Sequence, residues 1–185
     1  LEDTYNEDRN MRVMSILWSD QDYLQIPPLG ESIKGIYKSH DRLCIWTSSR
    51  MYRYDGSSLK EVANVGLSSI DSIATVGNYT FWMYKGIVYK YDGTVPTPIS
   101  NPVQPVLGSI TDFSSCVAVP DKANNRYFLY LGNITSDRLT GNNIWFVYNV
   151  GQELIRWKAD VNATTAFVDT SGDGPEKMYI CTVYR

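Results

Sequence analysis

One stretch of this chain is written twice. Residues 40–62, HDRLCIWTSSRMYRYDGSSLKEV, align without a gap on residues 77–99, GNYTFWMYKGIVYKYDGTVPTPI, at an offset of 37 residues. Tyr52, Tyr54, Asp55 and Gly56 fall on Tyr89, Tyr91, Asp92 and Gly93, and Arg53 falls on Lys90. A repeat of this length means one supersecondary unit used several times, each copy burying its apolar face against the next.

The unit reads as strands. Leu43 to Trp46 and Phe81 to Met83 are short, continuous apolar runs, as suits a strand covered on both faces. Turn residues follow at Thr47-Ser48-Ser49 and at Tyr84-Lys85-Gly86. Then the pattern alternates: Tyr52 and Tyr54 share one face with Arg53 opposite, and Tyr89 and Tyr91 repeat this around Lys90. Asp55-Gly56 and Asp92-Gly93 close hairpins, because glycine accepts the positive φ of a tight turn. A divergent third copy runs through Arg126–Leu131, a polar loop from Asn133 to Asn142, Asn143–Tyr148 and Leu154–Lys158. β-Branched segments at Ile33–Tyr37, Ile70–Val76, Ser114–Val119 and Thr164–Val168 precede the apolar runs and complete a four-stranded unit.

The ends carry part-units. Arg12–Trp18 and Asp22–Ile26 read as the last strands of one unit, Thr164–Val168 and Lys177–Val183 as the first strands of another. The expected division is therefore 1–28, last strands of a unit; 29–65, 66–107 and 108–162, whole units, the third with the long loop; and 163–185, first strands. The halves either close a ring or mark a chain cut from a longer array, and the missing initiator Met favours the cut. The best helical window, Leu59–Val65, is too short to stand alone, and Pro102–Pro105 reads as a connector. Repeated four-stranded antiparallel units of ~40 residues predict an all-β fold, a β-propeller-like array of three blades plus two half-blades. A β-sandwich is the alternative, but its strands alternate because one face of each sheet is wet.

Composition narrows function. A chain of 185 residues with a net charge of −3 lacks the basic surface that phosphate binding requires, so sequence-specific nucleic-acid binding is not expected. One histidine excludes multi-histidine metal centres. Cys44, Cys116 and Cys181 show no paired spacing and read as small buried hydrophobes. No apolar run reaches the length of a membrane span, and the polar N-terminus holds no signal-peptide core. Asn-x-Thr sequons at Asn78, Asn133 and Asn162 occur at close to chance frequency.

Few residues invite chemistry. His40 lies in a turn, without the nucleophile elbow or reactive-cysteine context a general base would serve. Asp169-Thr170-Ser171-Gly172-Asp173-Gly174 begins like a calcium loop, but Ile180 stands at the twelfth position instead of Glu. Arg53, Lys90 and Arg156 recur beside aromatics, either as a ring of cations or as stems packed on rings. Asp55 and Asp92 lie in turns, and nothing pairs them as glycoside hydrolysis demands. No catalytic, cofactor or metal residue is assigned.

Several segments resemble a loosely related set of tailed-bacteriophage virion proteins with propeller-like repeats. They are Ile16–Asp20 leading to Ile26-Pro27-Pro28; Ile33–Ile36 followed by Asp41–Trp46; and Lys85–Gly93 followed by Pro98–Val103. That set includes packaged-DNA stabilisation (tail accessory) proteins and the tail nozzles of short-tailed phages. The likeness spans about residues 12–107; where the set has Ser-Arg-Asp-Gly-like residues, this chain has Met83-Tyr84-Lys85-Gly86. The resemblance implies a non-enzymatic structural part of a virion, assembled in the host cytoplasm. It also implies a homo-oligomeric ring in the DNA-channel assembly, with portal, adaptor or tail subunits as partners and no cofactor. Loops such as Asn133–Asn142 and Asp169–Glu176 would serve those contacts. The alternative function is a carbohydrate-binding or glycan-cleaving propeller using Trp and Tyr faces near the loops.

Overall fold

The computed structural model describes residues 31–135, 140–152, 154–158, 165–169 and 177–181, with side chains for 31–132 and 144–152. All belong to the compact unit Glu31–Arg185. The strand-like segments Arg12–Trp18 and Asp22–Ile26 lie outside the described residues.

The fold is mostly β, in antiparallel sheets, none of them closed or curled. The first sheet is a meander of β1 (Ile33–Ser39), β2 (Arg42–Thr47), β3 (Met51–Tyr54) and β4 (Leu59–Ala63). The second comprises β5 (Ala74–Val76), β6 (Tyr79–Tyr84) and β7 (Ile87–Tyr91), edged by the two-residue β8 (Thr97–Pro98). The third contains β9 (Val117–Asp121), β10 (Arg126–Thr135), β11 (Thr140–Asn149) and β12 (Leu154–Lys158). β13 (Thr165–Asp169) and β14 (Lys177–Cys181) form a hairpin.

The repeat reappears as register. Ile45 opposes Tyr52 and Trp82 opposes Tyr89; Tyr37 opposes Cys44 and Ala74 opposes Phe81; Ser39 opposes Arg42 and Val76 opposes Tyr79. Each pair is the other shifted by 37. Two of the hairpin turns have positive φ at both residues, His40 and Asp41 between β1 and β2 and Lys85 and Gly86 between β6 and β7, the geometry that matches a tight hairpin to strand twist.

Both faces of the second sheet are dry. Alternate residues of β6 point to opposite sides. Phe81 and Met83, with Ala74 and Val88, pack against Tyr127, Leu129, Phe146 and Tyr148 of the third sheet. Trp82 and Tyr91 pack against Cys44, Trp46 and Met51 of the first. Trp46 meets Trp82 edge-on at 5.2 Å between ring centroids, and Phe81 stacks on Tyr127 at 4.9 Å. The third sheet buries its other face as well, through Val117, Val119, Phe128, Tyr130, Trp145 and Val147. The first strands of successive sheets adjoin, β5 beside β9 and β9 beside β13.

Polar ties cross both seams, and most end on main-chain carbonyls. Trp82 Nε1 donates to the Gly66 carbonyl at 3.1 Å, and Arg53 Nη1 to that of Gly93 at 2.9 Å. Tyr127 Oη donates to Ser72 O at 2.9 Å and Ser69 Oγ to Cys116 O at 2.9 Å, joining the second sheet to the third. Gly66 is required by close approach: a Cβ there would stand 2.5 Å from Ser48 O and 2.7 Å from Ser49 N.

Three local expectations change. Ile70–Ser72 is a 3₁₀ turn, so only Ala74–Val76 of the expected Ile70–Val76 strand pairs. The turn is fixed because the Ser72 hydroxyl donates to Ser69 O and accepts from Met83 N. Ser114–Val119 shifts to Val117–Asp121, since the Asp112 carboxylate accepts the Ser114 N–H and holds that stretch in a turn. Leu59–Ala63 is a strand pairing β3, in keeping with a helical window too short to stand alone. Asn133–Asn142 is mostly strand: β10 runs on to Thr135 and β11 begins at Thr140, with register shifts around Gly132. Pro102–Pro105 is a connector as expected, wound into short helical turns at Asn101–Val103 and Gln104–Leu107.

Because Trp82 is fully buried in the seam between two sheets, Trp82→Ala is expected to destabilise the fold by about 3–5 kcal/mol, and Trp82→Phe by clearly less. Urea unfolding followed by far-ultraviolet circular dichroism measures both; equal midpoints for wild type and Trp82→Ala would contradict the seam.

Candidate functional site

One concave feature of the described surface lies where first strands come close together. Tyr37 of β1, Thr75 of β5, Pro120 of β9 and the turn residues Gly77, Lys122 and Asn125 line an open cavity of about 410 Å³. It sits at the end of the sheets where first strands turn into second strands. Asn125 takes a left-handed conformation and its carbonyl accepts Val150 N–H at 2.9 Å, which fixes the Lys122–Asn125 turn. Thr75 is held from behind: its hydroxyl lies 3.0 Å from Thr80 Oγ1.

That contact begins a chain of hydroxyls. Thr80 Oγ1 lies 2.7 Å from Ser39 Oγ, Ser39 Oγ lies 2.7 Å from His40 Nδ1, and His40 Nε2 lies 2.8 Å from Asn78 O. A carbonyl only accepts, so Nε2 carries a proton, and in the neutral ring Nδ1 accepts from Ser39. Each earlier hydroxyl then donates to the next. His40 also packs edge-on against Tyr91 at 5.7 Å. A serine donating to a histidine has the electronics of a nucleophile and its base. Here Ser39 is 4% exposed and its oxygen is engaged by Thr80, so no substrate reaches it. The group fastens the first sheet to the second, a role no single-residue motif reveals.

The other candidates separate. Arg53 spends its guanidinium on Gly93 O, while Lys90 lies over the Tyr79 ring at 4.7 Å, so these two do not form a shared cationic face. The side chains of Arg156 and Cys181 lie outside the described residues. Of the calcium-like stretch, Asp169 ends β13 opposite Lys177, and 170–174 lie outside the described residues. Among the described residues no three His, Cys, Asp or Glu side chains group as a metal site, and no helix is long and apolar enough to cross a membrane. Trp46, Trp82 and Trp145 are fully buried, so none of these three rings offers a face to a glycan.

Asp55 and Asp92 cap equivalent turns. Asp55 accepts from the backbone and hydroxyl of both Ser57 and Ser58, and Asp92 from those of Thr94. These bonds favour the ionised form and hold both carboxyls below the usual range. Burial does the reverse to the thiols: Cys44 is pushed up to about 11 and Cys116 to about 12.

No protein-family model matches the chain, and no curated protein matches it. The cavity and its chemistry therefore stand on the geometry above.

Two solution tests follow. Folded carboxyls titrating below their unfolded value of about 4 stabilise above that pH and lose the contribution as pH falls through the folded value. The urea midpoint is expected to fall from pH 5 to pH 2, and to fall less in Asp55→Asn/Asp92→Asn, which keeps one acceptor oxygen at each site but gains no proton. In a Cys181→Ser background, a thiol reagent at pH 8 is expected to label neither Cys44 nor Cys116 until denaturant is added; rapid native labelling would contradict their burial.

Proposed function

We propose that this chain forms part of a β-propeller that acts as a non-enzymatic structural element of a tailed-phage virion, in the neck or tail assembly around the DNA channel. One observation carries the reading. The second sheet buries one face against the sheet before it and the other against the sheet after it, with first strands adjoining. Repeated wedges of that kind, carried round an axis, make a propeller. Their product is a stiff body, because each seam is a close-packed core that resists sliding. Stiffness serves a spacer or coupling ring better than it serves a catalyst that closes on substrate.

The virion assignment draws on the likeness of residues 12–107 to phage propeller-repeat proteins. Charge agrees with it: a net −3 chain repels passing phosphates within a Debye length, so it lets a duplex slide instead of gripping it. Its partners are other copies of itself in a ring, with portal, adaptor or tail subunits above and below.

Electron microscopy of the purified full-length protein, with mass spectrometry of the particles assembled by the genome that encodes it, tests the reading. Radial discs in ring oligomers and the protein's peptides in purified particles are expected. A soluble monomer absent from particles would overturn it.

A further inference from the structure

We propose that the cavity between the first strands binds a small carboxylated sugar, a uronic acid being the simplest case. The inference does not rest on the virion assignment.

Size comes first. About 410 Å³ is at the small end of organic-ligand sites and far more than a simple anion fills. Charge comes second. Lys122 supplies a cation, and no carboxylate lines the cavity. Among the described residues Lys122 has no ion-pair partner. The neighbouring Asp121 carboxylate is engaged elsewhere: it accepts both Nδ2 and backbone N–H of Asn124. An anionic ligand group therefore meets an unspent ammonium.

The remaining lining suits hydroxyls on a ring. Tyr37 Oη and the Asn125 amide have no hydrogen-bond partner among the described residues and offer both donors and acceptors. The Tyr37 ring and Pro120 supply apolar wall for the C–H faces of a sugar. Gly77 leaves room: a Cβ there would meet only Asn125 Oδ1, at 3.7 Å. These groups are also pre-set. Thr75 is locked through Thr80, Ser39 and His40, and the Asn125 turn is pinned to Val150. Binding then pays little ordering entropy.

The test is calorimetric titration of the full chain with sodium glucuronate, beside glucose and sodium acetate. Saturable glucuronate binding is expected, at least about ten-fold tighter than either control, since neither carries both the ring and the charge. Lys122→Met keeps the stem and removes the charge. Asn125→Asp keeps a side chain that tolerates the left-handed backbone and sets a carboxylate in the cavity. Each is expected to weaken glucuronate about ten-fold or more, with melting temperatures near wild type. A Tyr37→Phe variant, lacking only the hydroxyl, gives a third reading and is expected to weaken binding by a few-fold. Absence of saturable glucuronate binding, equal binding of acetate, or unchanged affinity in Lys122→Met and Asn125→Asp would each overturn the proposal.

Discussion

Covering both faces of the second sheet is the condition on which the remaining structure depends. An antiparallel sheet of short strands is not stable with two wet sides. Here Phe81 and Met83 sink into one seam while Trp82, between them in sequence, sinks into the other. Period-two geometry makes that division automatic, so a run of consecutive apolar residues demands a neighbour on each side. The Trp46–Trp82 and Phe81–Tyr127 contacts then fix how those neighbours sit.

Apolar contact alone does not set the register of one sheet on another. The polar ties do, because each aims a directional donor at a particular main-chain oxygen: Gly66, Ser72, Gly93 and Cys116. Such carbonyls are available only where strands end and connectors begin. The ties therefore gather at turns, and the sheets are pinned at their rims while the middle stays dry. The Thr75–Thr80–Ser39–His40 chain belongs to the same system. Its buried hydroxyls are satisfied by one another, which avoids the cost of unmet polar groups and leaves none free for chemistry.

Much of this was legible in residue order. The offset of 37 became strand register, and the apolar runs became the strands of two-sided cores. What the sequence hid depended on contacts distant along the chain. Ile70–Val76 looks like a strand because its β-branched residues are counted without Ser72, whose hydroxyl reaches Met83. Asn133–Asn142 looks like a loop because its residues are polar, yet pairing carries β10 and β11 through much of it. His40 looks like a bare turn residue, since Ser39 offers no motif and Thr80 lies 41 positions beyond Ser39. The cavity was invisible for the same reason: Tyr37, Thr75 and Lys122 meet only once three sheets are stacked.

The cavity follows from how the array handles its edges. β1, β5 and β9 are outermost in their own sheets, each with a row of backbone groups lacking a strand partner. β5 and β9 adjoin without pairing, and Tyr37 of β1 lines the same cavity. β1 is interrupted by a register shift between Ile33 and Gly35, β5 is three residues long, and β9 carries Pro120, which has no N–H to offer. These features blunt the edges against joining one another. Edges that neither pair nor interpenetrate leave a gap, and at the turn end that gap is walled by polar side chains on a fixed frame. A stacked-sheet protein that protects its edges this way generates a polar concavity without dedicating any core residue to it. A ligand site can thus sit on a structural body at little cost to the seams that hold the body together.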